Sequence, residues 1–271
     1  MDVRFIDTTF RDGSQSLWAL GMRAGMIEAN AEAMDRAGFE AIEVPVAGLF
    51  AKKFVRDLKE DPWEMSRMVA RTMPNTIKTC MVGNYFHPFE APPPRPIMEL
   101  FYARLVETGA LNRGQLTANT LDQTKRNFPW LLPALKELGL QVSIALSYSI
   151  SPRHTDEYYG EKTREVVAFE PDVIYLKDQG GLLTPDSLRT LLPVIVENAG
   201  DVPVELHSHC TTGLAPLVYL EALKLGVQTL HTAVPPLADG SSQPSVFEVA
   251  RNARLMGHST TIDEDVLRPV S

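Results

Sequence analysis

The chain has 271 residues, 44% of them hydrophobic and 22% charged, and a net charge of −8. With no Lys/Arg-rich run, that balance argues against nucleic acid or an anionic membrane surface as the main partner. The two cysteines, Cys80 and Cys210, fall in apolar runs without a CxxC pair, the pattern of reduced core thiols in a cytosolic protein. The first residues, Met1-Asp2-Val3-Arg4-Phe5, pass straight into a strand pattern. No apolar run is long enough to span a bilayer, so a cytoplasmic protein with no membrane partner is expected.

Short apolar runs alternate with longer amphipathic segments. The strand patterns are Val3–Thr9, Ala41–Ala47, Ile77–Gly83, Gly114–Thr120, Gln141–Ser149, Val173–Gln179, Val202–Cys210 and Val227–Val234. Helical spacing lies between them at Ala24–Ala37, Trp63–Thr72, Ile97–Glu107, Leu121–Leu138, Pro185–Glu197, Leu214–Leu225 and Val246–Met256. Alternation of this kind predicts a parallel sheet covered by helices. Eight repeats predict its closure into an α/β fold, the (β/α)8 TIM barrel, as one domain over 1–271. An open doubly wound sheet often carries a GxGxxG loop after its first strand. The segment Thr8-Thr9-Phe10-Arg11-Asp12-Gly13-Ser14-Gln15-Ser16 lacks one. Gly38, Gly139 and Gly226 are placed as C-caps, and Thr184-Pro185 as a helix start. The stretch Ala91-Pro92-Pro93-Pro94-Arg95-Pro96 reads as stiff extended chain rather than a linker.

Function in such barrels sits where the strands end. The first end supplies Asp7, Arg11, Asp12 and Gln15, the second Glu43, and the fifth Tyr148. The sixth supplies Lys177 and Asp178, the seventh His207 and His209, and the eighth His231 followed by Asp239 to Gln243. In His207-Ser208-His209 the two imidazoles are two residues apart on a strand and share a face. With Asp12 ending the first strand, the three form a candidate divalent-metal site. Imidazole with carboxylate suits Zn, Mn, Co or Fe. An ammonium cannot ligate a metal, so Lys177 has three readings: an ion pair with Asp178, a Schiff-base nucleophile, or a carbamate formed with CO2 that offers an anionic oxygen.

The stretch Asp7 to Ser16 resembles the first-strand signature of the DRE-TIM metallolyase superfamily. Within it, the carboxyltransferase domains of pyruvate carboxylase, transcarboxylase 5S and the oxaloacetate decarboxylase alpha subunit are most similar. Further matches are Glu60-Asp61-Pro62-Trp63-Glu64, Leu146-Ser147-Tyr148-Ser149, Leu176 to Leu183, His207 to Gly213 and Ser242-Gln243-Pro244-Ser245. The resemblance implies that Asp12, His207, His209 and a carboxylated Lys177 bind the metal. It implies that Arg11 faces the substrate and holds Glu43 behind it, with Gln15 on the substrate's carbonyl side. Tyr148 is a further candidate for substrate contact. Ser241 occupies the place of a threonine that moves a proton between biotin and the acceptor carbon. The implied activity is metal-dependent carboxyl transfer or decarboxylation through the enolate of a small 2-oxo acid or related carbonyl acid.

The sequence also departs from that pattern. The third-strand Leu-Arg-Gly-Gln-Asn reads Met81-Val82-Gly83-Asn84-Tyr85, which puts Val82 where relatives carry a carboxylate-binding arginine. Arg153 is a candidate substitute, with the expectation that pyruvate is not the preferred substrate and that a larger or differently placed acid group is read from the fifth-strand side. Strand four gives Thr117-Ala118-Asn119-Thr120-Leu121-Asp122 for the usual Phe-Asp-Ala-x-Asn-Asp, and the second strand ends Glu43-Val44-Pro45-Val46. The family's C-terminal helical domain and Met-Lys-Met biotinylation motif are not found. Carboxybiotin is therefore expected on a separate biotin carrier protein. A homo-oligomer is expected. Two further readings stand beside this one: a biotin-independent metal-dependent C–C lyase or aldolase of the same superfamily, and a non-catalytic derivative. His87 and His154 read as loop histidines, Asp61-Pro62-Trp63 as a helix start, and Met22, Met26 and Met34 as core filler.

Overall fold

A computed structural model describes residues 1–46, 50, 52–82, 94–118 and 121–271. Its strands are β1 (Asp2–Asp7), β2 (Ala41–Glu43), β3 (Ile77–Met81), β4 (Arg113–Ala118), β5 (Gln141–Ser147), β6 (Val173–Asp178), β7 (Val204–Ser208) and β8 (Thr229–Thr232). Each pairs in parallel with the next, and β1 pairs with both β8 and β2, closing the ring. This is the TIM barrel that the alternation predicts. Helices α1 (Ser14–Trp18) and α2 (Ala24–Arg36) follow β1, and α3 (Pro62–Thr72) and α4 (Arg95–Glu107) follow β2 and β3. Helices α5 (Leu121–Glu137), α6 (Asp156–Val167), α7 (Pro185–Ala199), α8 (Ala215–Lys224) and α9 (Val246–Leu255) follow β4 to β8 in turn.

Local chemistry sets several boundaries. Asp61 caps α3 by accepting the Trp63 N–H at 2.8 Å, with Pro62 in the first turn. Thr184 and Ser187 form a capping box ahead of α7, as Thr184-Pro185 suggests. Gly38, Gly139 and Gly226 all have positive φ after helices. Some segments differ from expectation. The first strand stops at Asp7, because Thr9–Gly13 winds into a single π-helical turn. The second ladder stops at Glu43. Helix α6 is absent from the expected set, since its buried face is Tyr159, Gly160, Lys162, Thr163 and Val166, with a single aliphatic residue to mark the period. A two-residue strand, β9 (Ser259–Thr260), pairs with Asp2 and Val3 at the start of β1.

Strand alternation sorts the barrel into two layers. Val3, Phe5, Ile42, Cys80, Leu116, Ile144, Ile174, Leu176, Leu206 and Leu230 are buried residues of the hydrophobic core, on the strand face that the helices cover. The inward set is polar: Glu43, Thr79, Arg113, Gln115, Ser143, Tyr175, Lys177, Glu205, His207 and His231, all buried. Lateral pairing keeps Ser147, Lys177 and His207 on that inner face. Both cysteines are buried, and no disulfide joins them. Among the described residues no helix is long and apolar enough to cross a membrane.

Candidate metal centre

The π-helical turn after β1 brings Arg11 and Asp12 over the barrel mouth. The Asp7 carboxyl group, on the outer face of the strand, holds that turn by accepting the Thr9 N–H and hydroxyl. Asp12, His207 and His209 offer ligand atoms that lie within 4.8 Å of one another, and all three residues are buried. Asp12 Oδ2 is 3.4 Å from His207 Nε2 and 3.7 Å from His209 Nε2. Lys177 Nζ approaches the same oxygen at 3.3 Å, and Arg11 at 2.9 Å. Arg11 also forms an ion pair with Glu43.

The donor set fits a metal. The Gln243 amide nitrogen lies 3.2 Å from His207 Nε2 and 2.9 Å from His209 Nε2, while its Oε1 accepts from the hydroxyls of Thr8 and Ser242. An amide nitrogen only donates, so both Nε2 atoms present lone pairs. On its far side, His209 Nδ1 donates to the Ser241 carbonyl at 2.6 Å, which fixes that tautomer. Burial and the nearby Lys177 charge hold His207 well below the usual imidazole range, so it is neutral. Burial would raise the Asp12 pKa, but Arg11 and Lys177 outweigh it and hold the carboxyl well below the ordinary range. Two imidazole nitrogens and one carboxylate converge on one point.

Of the readings for Lys177, the ion pair with Asp178 is not what the structure has. Asp178 faces the other way and accepts from Leu182 N, Leu183 N and Ser208 Oγ at 2.8 to 2.9 Å. Gln15 is exposed, and its Oε1 accepts from Arg11 at 3.2 Å. Ser241 is exposed beside His209, with its hydroxyl donating to the Ser16 carbonyl at 2.8 Å. Tyr148 is half-buried at the end of β5 and stacks on Tyr159 with ring centres 5.9 Å apart. Arg153 is exposed on the loop after β5, where its charge acts on the Tyr158 phenol. His154 pairs with Ser151 on the same loop.

Val82 requires a correction. It is buried, and its Cγ2 would lie 2.8 Å from a Cβ built on Gly114, a position also near Leu135 of α5. Its side chain therefore belongs to the layer under the helices. Met81, two residues on from Thr79, is the third-strand residue on the inner face. In that layer Val82 offers no cation to a substrate. Gly83-Asn84-Tyr85, His87, the 91–93 part of the proline run and Asn119-Thr120 lie outside the described residues.

Sequence reasoning misses the roles of Gln243, Glu205 and Arg113. Glu205 had a signal, since a carboxylate two residues before His207 on an apolar strand must share its inward face.

No family model matches the chain. It is 33% identical over 99% of its length to a pyruvate carboxylase subunit of Methanocaldococcus jannaschii, covering 46% of that protein. It is 34% identical over 96% of its length to the 2-oxoglutarate carboxylase large subunit of Hydrogenobacter thermophilus, covering 40% of it. The methylmalonyl-CoA carboxyltransferase 5S subunit of Propionibacterium freudenreichii is 28% identical over 99% of the chain, which covers 53% of it. The chain thus spans about half the length of the curated relatives it matches. Among solved structures, the carboxyl transferase domain of Rhizobium etli pyruvate carboxylase, a Y628A form with pyruvate, superposes with a TM-score of 0.89 at 24% identity. That match covers 99% of this chain and 46% of the other. Sequence and fold together make the chain a homologue of part of these pyruvate carboxylase, 2-oxoglutarate carboxylase and transcarboxylase 5S subunits, with the fold of the carboxyl transferase domain.

Proposed function

We propose that this barrel transfers a carboxyl group to or from the carbon beside the carbonyl of a small 2-oxo acid, with a divalent metal at Asp12, His207, His209 and Lys177. The observation that carries the reading is the convergence of one ionised carboxylate and two imidazole lone pairs on a buried point, with an arginine against the same carboxylate. Zn, Mn and Co suit that donor set. When bound, the metal supplies Lewis acidity toward the substrate carbonyl.

The chain's own residues supply the rest. Arg11, braced by Glu43, holds a fixed guanidinium where negative charge develops on the substrate oxygens. Gln15 orients the carbonyl side, and Tyr148 walls the pocket. Ser241 carries a hydroxyl at the rim to move the proton on and off the reacting carbon. Arg153 stands further out, as a contact for the distal acid group of a longer substrate. Biotin on a carrier protein is the partner that brings or removes the carboxyl group. A cytoplasmic homo-oligomer is the setting.

Charge counting supports a carbamate at Lys177. Arg11, Asp12, Glu43 and an ammonium at Lys177 sum to zero, and a dication added to them leaves two uncompensated positive charges in a buried site. Carboxylation of the Nζ reverses the sign at Lys177 and restores neutrality.

The test uses the full chain. We expect about one divalent ion per chain, with affinity that falls in CO2-free buffer and recovers with bicarbonate. Oxaloacetate decarboxylation stimulated by free biotin and abolished by chelators supports the reading. Activity that survives chelators, with a borohydride-trapped substrate adduct on Lys177, overturns it in favour of an aldolase. Calorimetry with pyruvate and 2-oxoglutarate, in wild type and Arg153→Ala, selects the substrate.

A further inference from the structure

Beneath His207 a buried line of side chains runs down the barrel axis. His207 Nδ1 lies 3.2 Å from His231 Nδ1, and His231 Nε2 lies 2.8 Å from Glu205 Oε2. Glu205 Oε1 lies 3.5 Å from Arg113 NH1. All four residues are at most 4% exposed. Tyr175 stacks on His231 at 4.9 Å with an interplanar angle of 27°, and His231 meets His207 edge to face at 5.2 Å. The Tyr219 hydroxyl donates to the His231 carbonyl at 2.5 Å, which pins the backbone as well.

We infer that His231, held by Glu205 and Arg113, is a positioning residue that sets the tautomer and ring orientation of His207. The proton logic follows from donor and acceptor types. Glu205 only accepts, so His231 Nε2 carries the hydrogen of that bond. With its hydrogen on Nε2, His231 can accept at Nδ1, and the proton between the two rings is then carried by His207 Nδ1. His207 Nε2 is left as a lone pair aimed at Asp12 and His209. The Gln243 amide reaches the same conclusion from the other side, because it donates to that Nε2. Arg113 neutralises Glu205, and its Nε is itself held by Gln141 Oε1 at 3.1 Å. Without this chain the inner nitrogen of His207 has no acceptor, and the imidazole is free to flip or exchange tautomers.

The inference rests on the reading of the site as a metal centre, and two measurements separate them. Nitrogen-15 NMR of the metal-free protein should show His207 protonated at Nδ1 and bare at Nε2, and His231→Leu should remove that preference. Zinc calorimetry should show affinity falling about 10- to 100-fold in His231→Leu. His231→Asn offers an oxygen to His207 and an amide to Glu205, and should recover most of the loss. A folded His231→Leu that binds zinc within twofold of wild type overturns the inference. So does a wild-type His207 protonated at Nε2, a result that holds even if the leucine variant fails to fold. If wild type takes up no zinc but His207 has the stated tautomer and loses it in His231→Leu, the positioning role stands and the metal reading fails.

Discussion

Asp12 Oδ2 lies within 3.7 Å of nitrogen atoms from Arg11, Lys177, His207 and His209, so one carboxylate oxygen balances the whole cluster. Asp12→Ala should therefore do two things. It removes the metal, as His207→Ala also should. It also leaves Arg11 and Lys177 buried without their shared partner, which costs about 3–5 kcal/mol for a broken buried pair. Urea unfolding of the metal-stripped protein checks this, and His209→Ala should be the milder change. Asp7 gives a pH signature of its own. Burial, against its Thr9 hydrogen bonds, raises its pKa from 3.8 to about 8. A group whose folded pKa is raised contributes stability that is full below its unfolded pKa and lost as pH rises through the folded one. Wild type should lose stability between about pH 4 and pH 8, with a slope of up to about 1.4 kcal/mol per pH unit from this group. In Asp7→Asn that slope should vanish, as unfolding curves at pH 5, 6.5 and 8 will show. At this scale His207 and His209 were legible in the sequence, because a period of two puts both on one face, whereas Asp12 reaches them from the π-helical turn after β1. The contact of His231 with His207 was not, since it depends on the stagger between β7 and β8.

Elements place these residues through contacts that tolerate little change. The loop after β6 turns at Gly181, where φ is +65° and a Cβ would meet the His209 carbonyl at 2.4 Å. The Thr212 hydroxyl closes the same junction by donating to the Gly181 carbonyl. Gly181→Ala should push the His209 segment outward. We expect metal affinity to fall at least tenfold with the circular dichroism spectrum unchanged, and full affinity would show that the loop does not position His209. The strands were legible as apolar runs, but their ends were not. Runs such as Thr8-Thr9 after β1 keep strand-like composition while the backbone turns into a helix to aim Arg11 and Asp12. Helix α6 was illegible for a related reason: Tyr159, Lys162 and Thr163 fill its buried face, and a polar or aromatic face carries no aliphatic period.

Across the whole barrel the two ends have separate tasks. The mouth carries the cluster, whereas the opposite end is sealed by β9 against the start of β1 and by the segment that follows it. Gly38, after α2, meets that segment so closely that a Cβ would lie 2.2 Å from the Thr261 carbonyl, at a φ of +89°. Gly38→Ala should lower Tm by several degrees, roughly 2–4 °C per kcal/mol for a chain of this size, and leave metal affinity unchanged. A parallel loss of metal would show the ends to be coupled. The eightfold strand and helix alternation announced the barrel, because each unit needs covering on one face and a neighbour on each edge. The polar lining was less visible. Charged residues such as Arg113 and Glu205 on apolar strands look like interruptions until closure turns their faces toward one another.

The registered ladder between β7 and β8 is the shortest in the ring, a single pair, Leu206 with Leu230. Across it the imidazoles of His207 and His231 touch. A closed barrel opens where its zip is shortest, so amide hydrogens along 204–208 should exchange with deuterium sooner than those of β4 to β6 in the metal-free protein. Zinc seated on His207 would latch that seam from the mouth, and the protection gained on loading should be concentrated there.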